Sequence, residues 1–237
     1  MPPQPKRITL EVARSDPNRR SRFDVPVPGP ASRVLDALLY VREHIDPSLG
    51  FRYACRAGMC GSCAVVVNGK EALSCQAAIG PLGGDTVRVE PLRSLPVLRD
   101  VMCDMAPFFA TLKRADAALR PGDPDQPSPR TMPPGDRHRA LIERQNGCIT
   151  CGACYSACES STMHSDYVGL AAMNRVLMLS LDERDVLGKA RLATVAREVS
   201  ALRRHELDSC SAVCPVEIPL REGMQELKGL LATGPID

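Results

Sequence analysis

The sequence predicts an α+β protein in two parts, a small sheet-based unit followed by an all-α one. Two changes of pattern and one break carry that expectation. Up to about residue 90, apolar side chains alternate with polar ones, the period of half-buried strands. From Arg137 onward they recur at helical spacing instead. Between the two lies a loop, 121–135, punctuated by Pro121, Pro124, Pro127, Pro129, Pro133 and Pro134 with Gly122 and Gly135. The parts are expected to divide at 1–105 and 106–237.

Residues 7–12 place Ile8, Leu10 and Val12 on one face and Thr9 and Glu11 on the other. Phe23, Val25 and Val27 repeat the alternation, so a hairpin is expected. Ser32 can cap a helix carrying Val34, Leu35, Leu38, Leu39 and Val41 on one face, ending near Asp46-Pro47. Ala64–Val67 reads as a strand that turns at Asn68-Gly69, the strongest short hairpin signal, into Ala72–Cys75. Thr86–Glu90 is a further short strand, and Leu95 to about Leu119 reads as a helical connection broken by Pro107. Helices are expected over 137–145, 167–181, 186–204 and from Pro215 to about Leu231.

Two cysteine constellations carry the chemistry. Cys55, Cys60 and Cys63, followed by Cys75, fit the plant-type C-x4-C-x2-C…C pattern of a 2Fe–2S centre. Gly58 and Gly61 belong to that pattern, because a loop wrapping a cluster needs φ > 0 and close backbone approach. In the second half, Cys148, Cys151, Cys154 and Cys158 follow the C-x2-C-x2-C-x3-C run of cubane clusters, whose fourth cysteine serves a neighbouring cluster. The missing ligand is offered by Cys214-Pro215, with Cys210 just before it. Structural zinc also uses C-x2-C, but zinc rarely takes three cysteines at such tight equal spacing. Cys103 has no partner at ligand spacing and reads as a small buried hydrophobe.

Composition narrows the class further. The 30 basic and 28 acidic residues are interspersed, for a formal charge of +2, which gives nucleic acid no patch to bind. Eleven cysteines would suit a disulfide scaffold only in a short secreted chain. Met1–Arg7 leads into a strand pattern without the apolar stretch of an export signal, so reduced, metal-held thiols are expected. No apolar run reaches the roughly 18 residues of a membrane span. The longest candidate, Val168–Leu181, is interrupted by Asn174-Arg175.

The two cysteine sets, together with Leu95–Asp100, Gly169–Arg175 and Cys210–Pro215, resemble the iron–sulfur subunit of succinate dehydrogenase and fumarate reductase over nearly the whole chain. The resemblance implies a β-grasp, plant-type ferredoxin domain followed by a domain like bacterial ferredoxin. It implies a subunit that carries no catalytic residue itself and relays single electrons. One partner is an FAD-containing subunit that interconverts succinate and fumarate, with Arg52 and Arg56 at its interface. The other is a quinone-reactive membrane anchor, often with haem b, so the chain would sit peripherally on the cytoplasmic face of the inner membrane. A 4Fe–4S cluster would be held by Cys148, Cys151, Cys154 and Cys214. The alternative is the same relay serving another flavoprotein dehydrogenase with a non-quinone acceptor. A molybdenum-hydroxylase subunit would share Cys55–Cys75 but lacks the second run.

The chain departs from the family at the third, 3Fe–4S site. That site uses the cysteines matching Cys158 and Cys210 and one six residues before Cys210, where this chain has Arg204. Arginine is a permanent cation with no lone pair for iron. The family's tryptophan near quinone has no counterpart in a chain without Trp, and Glu159 replaces the usual proline. The expectation is no third cluster, with Cys158 and Cys210 as thiols or a disulfide, or else an atypical centre completed by His205 or His164.

Overall fold

The computed structural model describes residues 6–16, 18–29, 31–122, 131–164, 166–201 and 204–233, the backbone alone for 200–201 and 204–207. In chain order the elements are β1 (Lys6–Ala13), β2 (Arg20–Val27), α1 (Val34–His44), β3 (Ala64–Val67), β4 (Lys70–Leu73), β5 (Thr86–Glu90), β6 (Val97–Arg99), β7 (Met102–Cys103), α2 (Ala106–Arg114) and α3 (Arg137–Gln145). There follow α4 (Ala153–Ser156), α5 (Glu159–Met163), α6 (Gly169–Leu181), α7 (Ala196–Ala201), α8 (Arg204–Ser211) and α9 (Leu220–Ala232), with 3-10 turns at Gly80–Leu82 and Gly188–Thr194. They form two compact units. One comprises Met1–Met105 and Ile149–Ala157, the other Ala106–Cys148 and Cys158–Asp237.

The first unit is built on a five-stranded sheet in the order β2-β1-β5-β3-β4. β1 pairs antiparallel with β2 and parallel with β5, and β3 is antiparallel to both β4 and β5. The alternation does its expected work: Ile8, Leu10, Val12, Val25, Val87, Val89, Val65 and Val67 are buried with Val34, Leu35, Leu38 and Val41 of α1. The hairpin turn at Asn68 and Gly69 takes φ of 48° and 85°, both left-handed as a two-residue turn requires. On the outer face the buried Glu11 carboxylate is met by Arg22 at 2.8 Å and Arg88 at 3.5 Å.

Three local readings are corrected in this unit. The residue capping α1 is Arg33, whose N–H donates to Asp36 Oδ2 at 2.8 Å, while the Ser32 hydroxyl accepts from Gly29 N. Residues 95–105 form the β6–β7 hairpin rather than the start of a helix, and only Ala106–Arg114 is helical. The hairpin exists because Asp100 turns the chain at φ 51° and is buried, accepting N–H bonds from Ser15 (3.0 Å) and Gly50 (2.8 Å) and pairing with Arg14 (3.2 Å). Lastly, Ile149–Ala157 belongs to this unit, not to the helical one. The Ser156 hydroxyl holds it there, donating to the buried Glu71 at 2.8 Å and accepting from Arg93 N at 2.7 Å.

The second unit surrounds α6, which is buried on nearly every side. Among the described residues no helix is long and apolar enough to cross a membrane. Here the reading of 186–204 as one amphipathic helix is corrected. Gly188 takes φ 46°, a 3-10 turn spans Gly188–Thr194, and the α-helix begins only at Ala196. The cause is Arg191, which is 1% exposed and pairs with Asp185 at 2.5 Å and with Asp116 at 3.5 Å, drawing the turn inward. The last helix, expected after Pro215, begins at Leu220, directly after Pro219, and runs to Ala232. Of the loop 121–135, residues 123–130 lie outside the described residues.

Asp100 is the anchor that holds the β6–β7 hairpin on the sheet. Asp100→Ala leaves two inward N–H groups without their acceptor and leaves Arg14 only its Asp46 carboxylate, so a loss of about 3 kcal/mol is expected in denaturant unfolding. A loss below about 1 kcal/mol, the size of an ordinary surface change, would show that the carboxylate is no anchor.

Candidate metal centres

The first cysteine set is assembled by the sheet and by one loop. Ser74 N donates to Cys63 O at 3.0 Å, extending the β3–β4 ladder by one step and setting Cys75 beside Cys63. Both thiols are buried, and burial pushes Cys63 up to about 11. Between Cys55 and Cys63 the chain is left-handed at Arg56, Gly58 and Gly61, with φ of 57°, 75° and 72°. That winding aims main-chain N–H groups inward: Ala57 and Met59 donate to Cys55 Sγ at 3.4 and 3.3 Å. Cys60 is exposed, and its bond with the Ser62 hydroxyl, joined by Cys55, brings its thiol down to about 6. Gln76 reaches back to Cys75 Sγ at 3.7 Å. A Cβ at Gly58 would stand 3.1 Å from the Gln76 stem, so glycine there leaves Gln76 its place.

The second set is divided between the units. Cys151 and Cys154 lie in the first, on a segment left-handed at Thr150 (φ 51°) and Gly152 (φ 79°). Cys151 packs against the loop of the first set: a Cβ at Gly61 would meet Cys151 Cα and Ile149 O at 2.9 Å. Cys148 and Cys214 lie in the second unit, where Cys214 Sγ accepts from Ile218 N at 3.4 Å.

At the third site, Cys158 and Cys210 are buried and hydrogen-bonded to each other as thiols, not joined in a disulfide. That contact, with the Tyr167 hydroxyl 3.7 Å from Cys158 and the N–H groups of Ser160 and Ser161, brings Cys158 down to about 6 against the opposing effect of burial. Arg204 opens α8 and Cys210 lies near its end. The side chains of Arg204 and His205 lie outside the described residues, and His164 is exposed. Cys103 is buried, its Sγ 3.6 Å from Leu92 O.

Among the described residues, no group of three or more His, Cys, Asp or Glu side chains is set to hold one metal ion. The first set instead forms two pairs, Cys55 with Cys60 and Cys63 with Cys75. Four thiolates shared between two irons need that division, so the residues fit a 2Fe–2S group. Ser62, Gln76 and Tyr167, which touch these sulfurs, escape a reading by cysteine spacing. The signal for the first two is adjacency to a ligand, and for Tyr167 there is none.

Fold and donor set together define a protein that holds iron–sulfur clusters. The family described as "2Fe-2S iron-sulfur cluster binding domain" matches residues 9–110. The chain is 34% identical over 206 residues to the mitochondrial succinate dehydrogenase [ubiquinone] iron-sulfur subunit of Dictyostelium discoideum, covering 84% of this chain and 72% of that one. It is 32% identical over 234 residues to the fumarate reductase iron-sulfur subunit of Mycobacterium tuberculosis (strain CDC 1551 / Oshkosh), covering 96% and 94%. The chain belongs to this family of succinate dehydrogenase and fumarate reductase iron–sulfur subunits. In fold it is similar to a chain of the Mycobacterium smegmatis Sdh1 complex in the apo form, with a TM-score of 0.85, 23% identity, and 99% and 100% of the two chains covered.

Gly61 and Gly83 provide a matched pair of substitutions, left-handed at φ 72° and 66°. A Cβ at Gly83 meets nothing within 4 Å. Gly83→Ala is expected to cost only the left-handed penalty of about 1 kcal/mol and to keep the 2Fe–2S visible spectrum. Gly61→Ala collides with the Cys151 backbone and is expected to lose that spectrum after anaerobic reconstitution. Equal spectra would show that the close approach is not required.

Proposed function

We propose that this chain is the electron-transfer subunit of a succinate or fumarate oxidoreductase complex, relaying single electrons between an FAD-containing partner and a quinone-reactive membrane anchor. The observation that carries the reading is the paired Cys55/Cys60 and Cys63/Cys75 set, in a chain related over most of its length to such subunits. The first unit then serves as a β-grasp, plant-type ferredoxin domain, and the helical part as one like bacterial ferredoxin.

In this reading Cys55, Cys60, Cys63 and Cys75 hold a 2Fe–2S cluster, and Cys148, Cys151, Cys154 and Cys214 a 4Fe–4S cluster. Bound there, the clusters supply one-electron redox chemistry. The chain's part is to tune and shield it. The Ala57 and Met59 N–H groups stabilise negative charge on Cys55, which favours reduction, while burial of Cys63 and Cys75 keeps water from their side of the site. Arg52, Arg56 and Met59, which is 73% exposed, form a rim suited to the flavin-bearing partner. The far partner is an anchor with quinone and haem b, the chain lying peripherally on the cytoplasmic face of its membrane.

No ordinary 3Fe–4S cluster forms at Cys158 and Cys210, because the third ligand position is Arg204, which has no lone pair for iron. That observation favours a second reading, in which the same relay serves another flavoprotein dehydrogenase with a non-quinone acceptor. Anaerobically purified protein is expected to contain acid-labile sulfide, and on reduction to show two paramagnetic centres. Cys75→Ala should remove only the 2Fe–2S signal. Stoichiometric zinc without sulfide would overturn the proposal. The oxidised protein is expected to lack the sharp 3Fe–4S signal, and Arg204→Cys is expected to restore it where position 204 is the third ligand position. A wild-type 3Fe–4S signal would refute the account of the third site. Co-purification with an FAD subunit and a quinone-reactive anchor favours the first reading, and electron delivery to a soluble acceptor the second.

A further inference from the structure

The second unit holds a polar node that neither cysteine spacing nor helical periodicity explains. Gln145 is the last residue of α3 and is 0% exposed, three residues before Cys148. Its Nε2 donates to Pro219 O at 3.2 Å, on the segment that runs from Cys214 into α9. Its own main-chain carbonyl accepts from Asn174 Nδ2 of α6 at 3.1 Å, and Asn174 is 1% exposed. Gly223 of α9 makes room for it: a Cβ there would stand 2.9 Å from Gln145 Nε2.

The node costs stability rather than supplying it. Gln145 Oε1 and Asn174 Oδ1 are buried without a hydrogen-bond partner among the described residues. Burying an unpaired acceptor is unfavourable, and an apolar side chain of similar length would avoid it. What Gln145 does provide is a fixed link between two chain segments, one bearing Cys148 and the other Cys214. Neither segment is held in a sheet, and Cys148 follows Gly147 with no helix to fix its backbone.

We propose that Gln145, held by Asn174 and accommodated by Gly223, is a clasp that sets the spacing of Cys148 and Cys214 and so positions two of the four thiolates for the 4Fe–4S cluster. It rests on the ligand assignment proposed above. Gln145 touches no reacting atom and acts only through the cysteines it positions. Outer-shell partners of this kind typically change metal retention by about 10- to 100-fold when removed.

The test is Gln145→Met in the full chain, which keeps the length of the side chain and deletes both the link and the orphan acceptor. The thermal midpoint is expected to stay level or rise, and the 2Fe–2S signal to stay unchanged. Retention of 4Fe–4S iron against a chelator is expected to fall by about 10- to 100-fold, with a shifted potential for the remainder. Gly223→Ala, whose new methyl displaces the amide, should reproduce the loss. Wild-type retention in Gln145→Met, or a parallel fall of thermal midpoint and both signals, would overturn the clasp while leaving the cluster assignment standing. Wild-type protein without a 4Fe–4S cluster would overturn the assignment and the clasp with it.

Discussion

The backbone of Gly61 lies against that of Cys151, and the rest of the first unit is arranged to permit it. One of the two belongs to the loop of the first cysteine set and the other to the run of the second, far apart in sequence. No side chain fits between them, and the φ of 72° at Gly61 excludes most residues even without the crowding. Contact this close brings the loop of the first set and the Cys151–Cys154 part of the second run together within one unit. It has to be held from behind. Glu71, on the strand leading to Cys75, takes the Ser156 hydroxyl, and Arg93 ties the same carboxylate at 3.1 Å. The segment 149–157 is therefore fastened beyond its cysteines as well as at them.

The third site shows the opposite logic. Cys158 and Cys210 are buried, and in the proposed reading they lack the ligand that would complete a cluster. Tyr167 and two N–H groups turn toward Cys158, so the pocket still favours sulfur with negative character.

The sheet and its hairpins were legible because strand alternation and Asn-Gly turns act locally, within a few residues. The candidate cysteines could be singled out because ligand spacing is itself a chemical constraint. What could not be read depends on contacts between distant residues. Periodicity assigns an arginine in 186–204 to the solvent face, yet Arg191 is drawn inside by Asp185 and Asp116 and breaks the helix that the pattern promised. Likewise, spacing assigns Cys148–Cys158 one role as a run. It gives no hint that Ser156 will find Glu71 and take the middle of the run into the first unit. The Leu95–Met105 stretch misleads for the same reason, since Asp100 earns its turn from Ser15 and Gly50.

These long-range polar links share a setting that explains their number. Aromatic residues make up 3% of the chain and tryptophan is absent, so both cores are packed mainly with aliphatic side chains. Aliphatic packing is strong but tolerant: side chains of similar volume exchange, and elements can shift against each other at modest cost. Cluster ligands tolerate no such shift. Glu71 with Ser156, Asp100 with Gly50, Arg191 with Asp185 and Gln145 with Pro219 each join segments remote in sequence, and buried polar pairs of this kind stabilise a fold weakly if at all. Their contribution is to register. The hydrophobic cores hold the two units folded, and the polar links fix the register of the segments they join.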